Sequence, residues 1–111
     1  MAIDYEELIQ RSDNEADAGR TESARRILTE GLKQAERRGE TAYVHLLRAE
    51  LAYSDERYAE ALDFAREALR EKPLDHLILR HVGVYSSLLG RAEEAIEYFD
   101  QALQVLSLIH I

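Results

Sequence analysis

Apolar residues recur at intervals of three and four positions along most of the chain, which is the period of a helix with one buried face. Two stripes show it most clearly: Ala61, Leu62, Ala65, Ala68 and Leu69, and then Ala95, Ile96, Phe99, Ala102, Leu103 and Leu106. Polar residues and glycines interrupt the pattern between the stripes. We therefore predict six helices, at about residues 3–19, 21–38, 41–54, 57–72, 75–89 and 91–109.

The ends of these helices carry their own signals. Short polar residues precede three helices and are predicted to cap them: Asp4, Thr41 and Asp75. Glycines that can adopt a positive φ follow three others: Gly19, Gly39 and Gly90. Pro73 restricts the residue before it, so the fourth helix is expected to end there.

Three segments of the sequence align with one another, at spacings of 37 and then 34 residues. They contain Ala24, Ala61 and Ala95, and twelve residues upstream of these stand Ser12, Ala49 and Gly83. Two helices approach to about 8–10 Å only where the side chains at their crossing are short. The pattern therefore predicts three helical hairpins in which each second helix crosses its first helix closely.

The repeated pattern resembles the tetratricopeptide repeat. The third repeat matches best, at Val82, Gly83, Gly90, Ala95, Phe99 and Ala102. The second repeat matches less well, at Ala49, Tyr58, Ala61, Ala68 and Pro73. The first repeat is the weakest match, at Leu8, Ser12, Gly19, Ala24, Leu28 and Gly31. The resemblance implies an all-α fold, a right-handed α-α superhelix (solenoid) of three antiparallel helix hairpins. We expect one domain over residues 1–111, with repeats at about 4–38, 41–73 and 75–108 and an apolar C-terminal end at 105–111.

In that family the first helices line a concave groove, which is where a partner binds. The groove residues implied by the resemblance are Glu6, Ile9, Gln10 and Asp13, then Tyr43, Leu46, Leu47, Glu50 and Tyr53, and then Leu77, Arg80, His81, Val84 and Ser87. Such a lining suits an amphipathic helix or an extended segment with apolar anchors. The alternative is that Leu46, Leu47 and Val84 belong to the core between repeats.

One specialised role within the family is disfavoured. Members that hold the acidic C-terminal tails of heat-shock chaperones use a carboxylate clamp of Lys, Asn and Arg. The corresponding positions here are Ile9, Asp13, Leu47, Leu77 and His81. Only His81 can become a cation, so we expect no such carboxylate clamp.

Composition narrows the classes of function further. Ala, Glu, Lys, Leu and Arg make up 60 of the 111 residues, a bias typical of helical proteins. The absence of Cys excludes disulfides, Cys-ligated zinc and a thiol nucleophile. A net charge of −8 disfavours binding to nucleic acid or to an anionic membrane. The N-terminus lacks the features of a signal peptide, so a cytoplasmic location is expected.

Candidate chemistry is sparse. No phosphate-binding loop, HExxH pair or EF-hand loop is present. His45 and His81 could approach across the groove to hold a metal, but ordinary polar contacts explain them as well. The carboxylate pairs Asp13 with Asp17 and Glu56 with Glu60 fit solvated helix faces. We predict no catalytic residue, cofactor or metal, and a non-catalytic module that binds a protein or peptide.

The last residues, 105–111, are almost all apolar. Three explanations compete: the chain is a piece of a longer protein or ends in residues foreign to it, the segment folds back on the last repeat, or it is buried against a second copy. The last gives the alternative function, a self-assembly element that forms a homodimer through Phe99, Leu103, Leu106, Leu108 and Ile109. A designed repeat protein is a further alternative, which the irregular repeat spacing disfavours.

Overall fold

The computed structural model describes residues 1–109, which form six α-helices and no β-strand. The helices are α1 (Tyr5–Asp17), α2 (Thr21–Arg38), α3 (Thr41–Ser54), α4 (Tyr58–Glu71), α5 (His76–Leu88) and α6 (Ala92–Ile109). Each begins and ends within two residues of its predicted bounds. None of these six helices has the length and apolar character needed to cross a lipid bilayer.

The helices pack as three hairpins that stack in sequence order. The pairs α1 with α2, α3 with α4, and α5 with α6 form the hairpins, and α2 with α3 and α4 with α5 join them. The predicted all-α architecture of repeated helical hairpins is therefore confirmed. One continuous core draws buried residues from α1, α2, α3, α4 and α5, so the hairpins bury apolar faces against their neighbours as well as within themselves.

Small residues stand where the paired helices approach. The hydroxyl of Ser12 on α1 donates a hydrogen bond to the backbone carbonyl of Ala24 on α2, at 3.0 Å. Ala49 and Ala61 are fully buried. A Cβ atom on Gly83 would come within 2.7 Å of the Phe99 ring, so this ring occupies the space that the missing side chain leaves. These contacts explain the repeated small residues.

The capping predictions succeed at two of three helix starts. The side chains of Asp4 and Asp75 accept hydrogen bonds from the backbone N–H groups of Glu7 and Ile78, each at 3.1 Å. The prediction for Thr41 is wrong, because Thr41 is the first residue of α3. Only one residue separates it from Gly39, which ends α2 with a φ of 67°, so the chain has already entered the next helix at this point.

The loop between α3 and α4 holds Glu56 at a φ of 60°, where the equivalent loops of the other hairpins have Gly19 and Gly90 at positive φ. A side chain in this conformation is strained, and glycine is not. We expect Glu56→Gly to raise the free energy of unfolding by about 1 kcal/mol, measured by urea denaturation. Arg57→Gly is the matched control, since Arg57 has a φ of −94° and gains no relief. Equal stability of Glu56→Gly and wild type would contradict the strain argument.

Candidate functional site

A cavity of about 470 Å³ is bounded only by α1, α3 and α5, the first helices of the three hairpins. Stacking the hairpins places these helices side by side and leaves the cavity between them. Its lining comprises Glu6, Ile9, Gln10, Asp13, Ala16 and Asp17 of α1, Glu50 and Tyr53 of α3, and Arg80, His81, Val84 and Tyr85 of α5. The site is therefore a groove that all three hairpins contribute to.

A buried polar cluster forms part of this lining and ties α3 to α5. The hydroxyl of Tyr85 donates to Oε1 of Glu50, and Nε2 of His81 lies 3.2 Å from the same oxygen. Nδ1 of His81 lies 2.8 Å from the backbone carbonyl of Leu77. A carbonyl and a carboxylate are both acceptors, so this geometry favours the protonated imidazolium, in which both ring nitrogens of His81 donate.

The electrostatics of the cluster agree with that assignment. Burial alone would raise the pKa of Glu50, but the hydrogen bond and charge of His81, with the Tyr85 hydroxyl, hold it below its ordinary value. Burial alone would lower the pKa of His81, yet the hydrogen bond and charge of Glu50 raise it. Burial and the Glu50 carboxylate raise the pKa of Tyr85 well above its ordinary value, so its hydroxyl stays a donor. The cluster is a buried ion pair with a supporting hydrogen bond.

The part of the cavity wall that α1 supplies is acidic, because it includes Glu6, Asp13 and Asp17. Burial raises the pKa of Asp13 to about 6, with a further contribution from the nearby Glu50 carboxylate. Within residues 1–109, the Asp13 side chain makes no hydrogen bond or ion pair. On the other side, Tyr53 and Val84 keep 39% and 36% of their surface exposed and supply apolar contact area. The exposed side chain of Arg80 also lines this cavity.

The structure brings together only part of the predicted groove. Of the residues predicted on α3 and α5, Glu50, Tyr53, Arg80, His81 and Val84 line the cavity, as do the predicted α1 residues Glu6, Ile9, Gln10 and Asp13. Leu46, Leu47 and Leu77 lie in the core, where a fully buried side chain offers no surface to a partner. We therefore leave these three out of the proposed contact surface. Ser87 is exposed but does not line the cavity.

Tyr43 lies apart from Tyr53, about 15 Å closer to the start of α3 at the usual helical rise. Its ring stacks on that of Tyr5 with 4.4 Å between centroids, and its hydroxyl donates to the carboxylate of Asp75. The ammonium of Lys72 stands 5.6 Å from the ring centre. Tyr43 thus helps to hold α1, α3 and the start of α5 together, so we omit it from the proposed contacts.

Three lining residues were not anticipated from the sequence: Ala16, Asp17 and Tyr85. A signal for Tyr85 does exist. It follows His81 by four positions and therefore shares its helix face, and a buried tyrosine hydroxyl needs a polar partner. The two features together would have indicated a buried polar cluster on α5.

The two histidines of the metal alternative have different partners. His45 lies 3.9 Å from Oε2 of Glu71 on α4, whereas His81 contacts Glu50. Among residues 1–109, no group of three or more His, Asp or Glu side chains is arranged to hold a metal ion. The groove instead offers apolar surface beside the Asp13 carboxylate, which has no partner in the part of the chain that the structure describes.

The residues predicted for self-association all lie on α6. Leu103, Leu108 and Ile109 are exposed, whereas Phe99 and Leu106 are half-buried. Residues 105–109 of the apolar end continue α6 to its last turn. The prediction for the end also included residues 110–111, which lie outside the described residues.

Comparison with known proteins gives one informative similarity. The chain is 35% identical over 99 residues to the photosystem I assembly protein Ycf3 of Rippkaea orientalis (strain PCC 8801 / RF-1), a match that covers 86% of this chain and 56% of that protein. The chain thus spans little more than half the length of this curated relative. No protein-family model matches the sequence.

Proposed function

We propose that this chain is a non-catalytic interaction module of the tetratricopeptide type, which binds a segment of a protein partner in the cavity between α1, α3 and α5. The observation that carries the proposal is that one cavity is bounded by the first helix of every hairpin. A relative that is named an assembly protein adds support. We extend the proposal accordingly: the partner is a polypeptide that is being assembled into a larger complex.

The lining favours a segment with an apolar side chain next to a basic one. Tyr53 and Val84 would contact the apolar side chain. A lysine or arginine would reach Asp13, whose carboxylate lacks a partner among residues 1–109, and would gain a charge-assisted hydrogen bond. The acidic wall makes a phosphate backbone or an anionic lipid surface a poor fit.

The pKa of Asp13 adds a prediction about pH. Its value of about 6 means that Asp13 is mostly ionised at pH 7. A bound cation favours the ionised form, so we expect affinity for a basic segment to fall as the pH drops through 6. In the Asp13→Asn variant this dependence should be much smaller.

The proposal is tested by selecting binders from a random peptide library displayed on phage. We expect enrichment of peptides that carry Lys or Arg close to a large apolar residue. Measured by fluorescence polarisation with a selected peptide, Tyr53→Ala and Asp13→Asn should each weaken binding at least about tenfold. Glu60→Ala, which changes an exposed residue of α4 outside the cavity, is the control and should bind as wild type does.

Two results would overturn the proposal. If the Tyr53 and Asp13 variants both retain wild-type affinity while circular dichroism shows an intact fold, the peptides bind elsewhere. If the enriched peptides lack basic residues, the acidic wall does not select the partner and the proposed class of partner is wrong.

A further inference from the structure

A second surface, distinct from the groove, runs along α6. Ile96, Phe99, Leu103 and Leu106 lie on one side of this helix, within an arc of about 80° at 100° per residue, and form the α6 stripe. Ile96 and Leu103 keep 59% and 64% of their surface exposed, so no described residue covers them. The stripe is about 15 Å long at the usual helical rise.

The equivalent positions of the second hairpin show what such a face does elsewhere in the molecule. Leu62 of the second repeat is the equivalent of Ile96 in the third, and only 2% of the Leu62 surface is exposed. Leu69, the equivalent of Leu103, is packed against the core as well. Both belong to α4, against which α5 packs. The α6 stripe is therefore a helix-packing face of a kind that another helix covers one repeat earlier.

The spacing of the stripe points to its occupant. The intervals from Ile96 to Phe99, Leu103 and Leu106 are three, four and three residues, so the pattern reads the same in both directions. Two identical helices can then pack antiparallel with Ile96 against Leu106 and Phe99 against Leu103 of the other copy. We propose that the α6 stripe is the contact of a symmetric homodimer, in which two copies of α6 pair antiparallel.

Charge supports the antiparallel arrangement. Glu93, Glu94 and Glu97 lie in the first part of α6, and residues 101–109 carry no charge. An antiparallel pair places the acidic part of each copy beside the uncharged part of the other, whereas a parallel pair would place like charges together. Asp100 is the exception, because it flanks the middle of the stripe and would approach its own copy.

Stacking of copies head to tail fits less well. The first hairpin would have to cover the α6 stripe with α1, as α5 covers α4. The exposed Glu7 and Arg11 of α1 stand at the repeat positions of Ile78 and Val82, which make the buried contacts of α5. Charged side chains against an exposed Leu and Ile would lose water without gaining a partner. A face that pairs with itself also closes after two copies. A contact through one helix per copy is small, so we expect a dimer that dissociates on dilution.

Sedimentation velocity across a dilution series tests the dimer. Wild type should pass from dimer to monomer as it is diluted, and Leu103→Glu should remain a monomer at all concentrations. Leu108→Glu is the matched control, since Leu108 is 70% exposed but lies more than a third of a turn from the middle of the stripe. This variant should dimerise as wild type does. Asp100→Asn should dimerise more tightly, because it removes the like-charge approach.

Cross-linking tests the orientation, since the natural chain contains no Cys. A mixture of the Ile96→Cys and Leu106→Cys variants should form a disulfide-linked heterodimer faster than either variant forms a homodimer. Faster linkage of Ile96→Cys to itself would overturn the antiparallel pairing. A wild-type chain that stays monomeric at high concentration, or a dimer that Leu103→Glu leaves intact, would overturn the interface. None of these outcomes bears on peptide binding in the groove.

Discussion

Replacing Glu50 with alanine is expected to lower the free energy of unfolding by about 3–5 kcal/mol, because it leaves the buried His81 imidazolium without its counter-charge. The Tyr85 hydroxyl loses its acceptor at the same time. Glu50→Gln keeps a neutral acceptor in the same place and should cost less. Glu60→Ala, at an exposed position, is the control and should change stability by no more than about 0.5 kcal/mol. Urea denaturation measures all three.

The pH dependence of this loss follows from the direction of the two shifts. The lowered pKa of Glu50 stabilises the fold above its ordinary value of 4.5, and this contribution disappears as the pH falls through the lowered pKa. The raised pKa of His81 stabilises the fold below its ordinary value of 6.5 and ceases to do so as the pH rises through the raised pKa. The difference in the free energy of unfolding between wild type and Glu50→Ala should thus be largest at about pH 4.5 to 6.5.

Two outcomes would contradict this account of the Glu50 cluster. One is a loss of less than about 1 kcal/mol in Glu50→Ala, which is the value of an ordinary exposed ion pair. The other is a difference from wild type that does not change with pH. If Glu50→Ala does not fold, Glu50→Gln and Tyr85→Phe still test the cluster, since each removes only part of it.

Leu46→Ala is expected to lower the free energy of unfolding by about 2–5 kcal/mol, because it truncates a side chain that has no exposed surface. Arg80→Ala is its matched control, because Arg80 holds the equivalent position of the next hairpin and is exposed. It should change stability by no more than about 0.5 kcal/mol. Thermal unfolding followed by circular dichroism separates the two variants. Similar losses of stability in both variants would contradict this expectation, because they would show that the position in the repeat, rather than coverage by the next hairpin, determines the loss.

The difference between Leu46 and Arg80 also shows where prediction from the sequence succeeds and fails. The helices and their close crossings follow from local periodicity and from small residues at fixed spacing, so they were predicted well. Two of the three predicted caps were also correct, because Asp4 and Asp75 act on the residues that directly follow them. Leu46 and Leu47 share a helix face with Glu50 and Tyr53, and periodicity alone cannot distinguish the groove from the interface with the next hairpin. That distinction depends on how successive hairpins are stacked.

The buried cluster has a related origin. Glu50 and His81 are 31 residues apart, and their contact requires α3 and α5 to lie side by side at one particular register. The family resemblance placed both residues in the groove but did not pair them. The stacking of Tyr43 on Tyr5 was not predicted for a similar reason, since it depends on how the first two hairpins meet. Local patterns therefore predict elements well and contacts between repeats poorly.

The cavity between α1, α3 and α5 has a consequence for how the molecule unfolds. The main helix contacts join neighbours in sequence, so the three hairpins form a linear array in which an end unit can open while the others stay folded. A segment bound in the cavity would touch the first helix of every hairpin and would connect the two ends of the array directly. Occupancy would then make the three hairpins open together, as one cooperative unit.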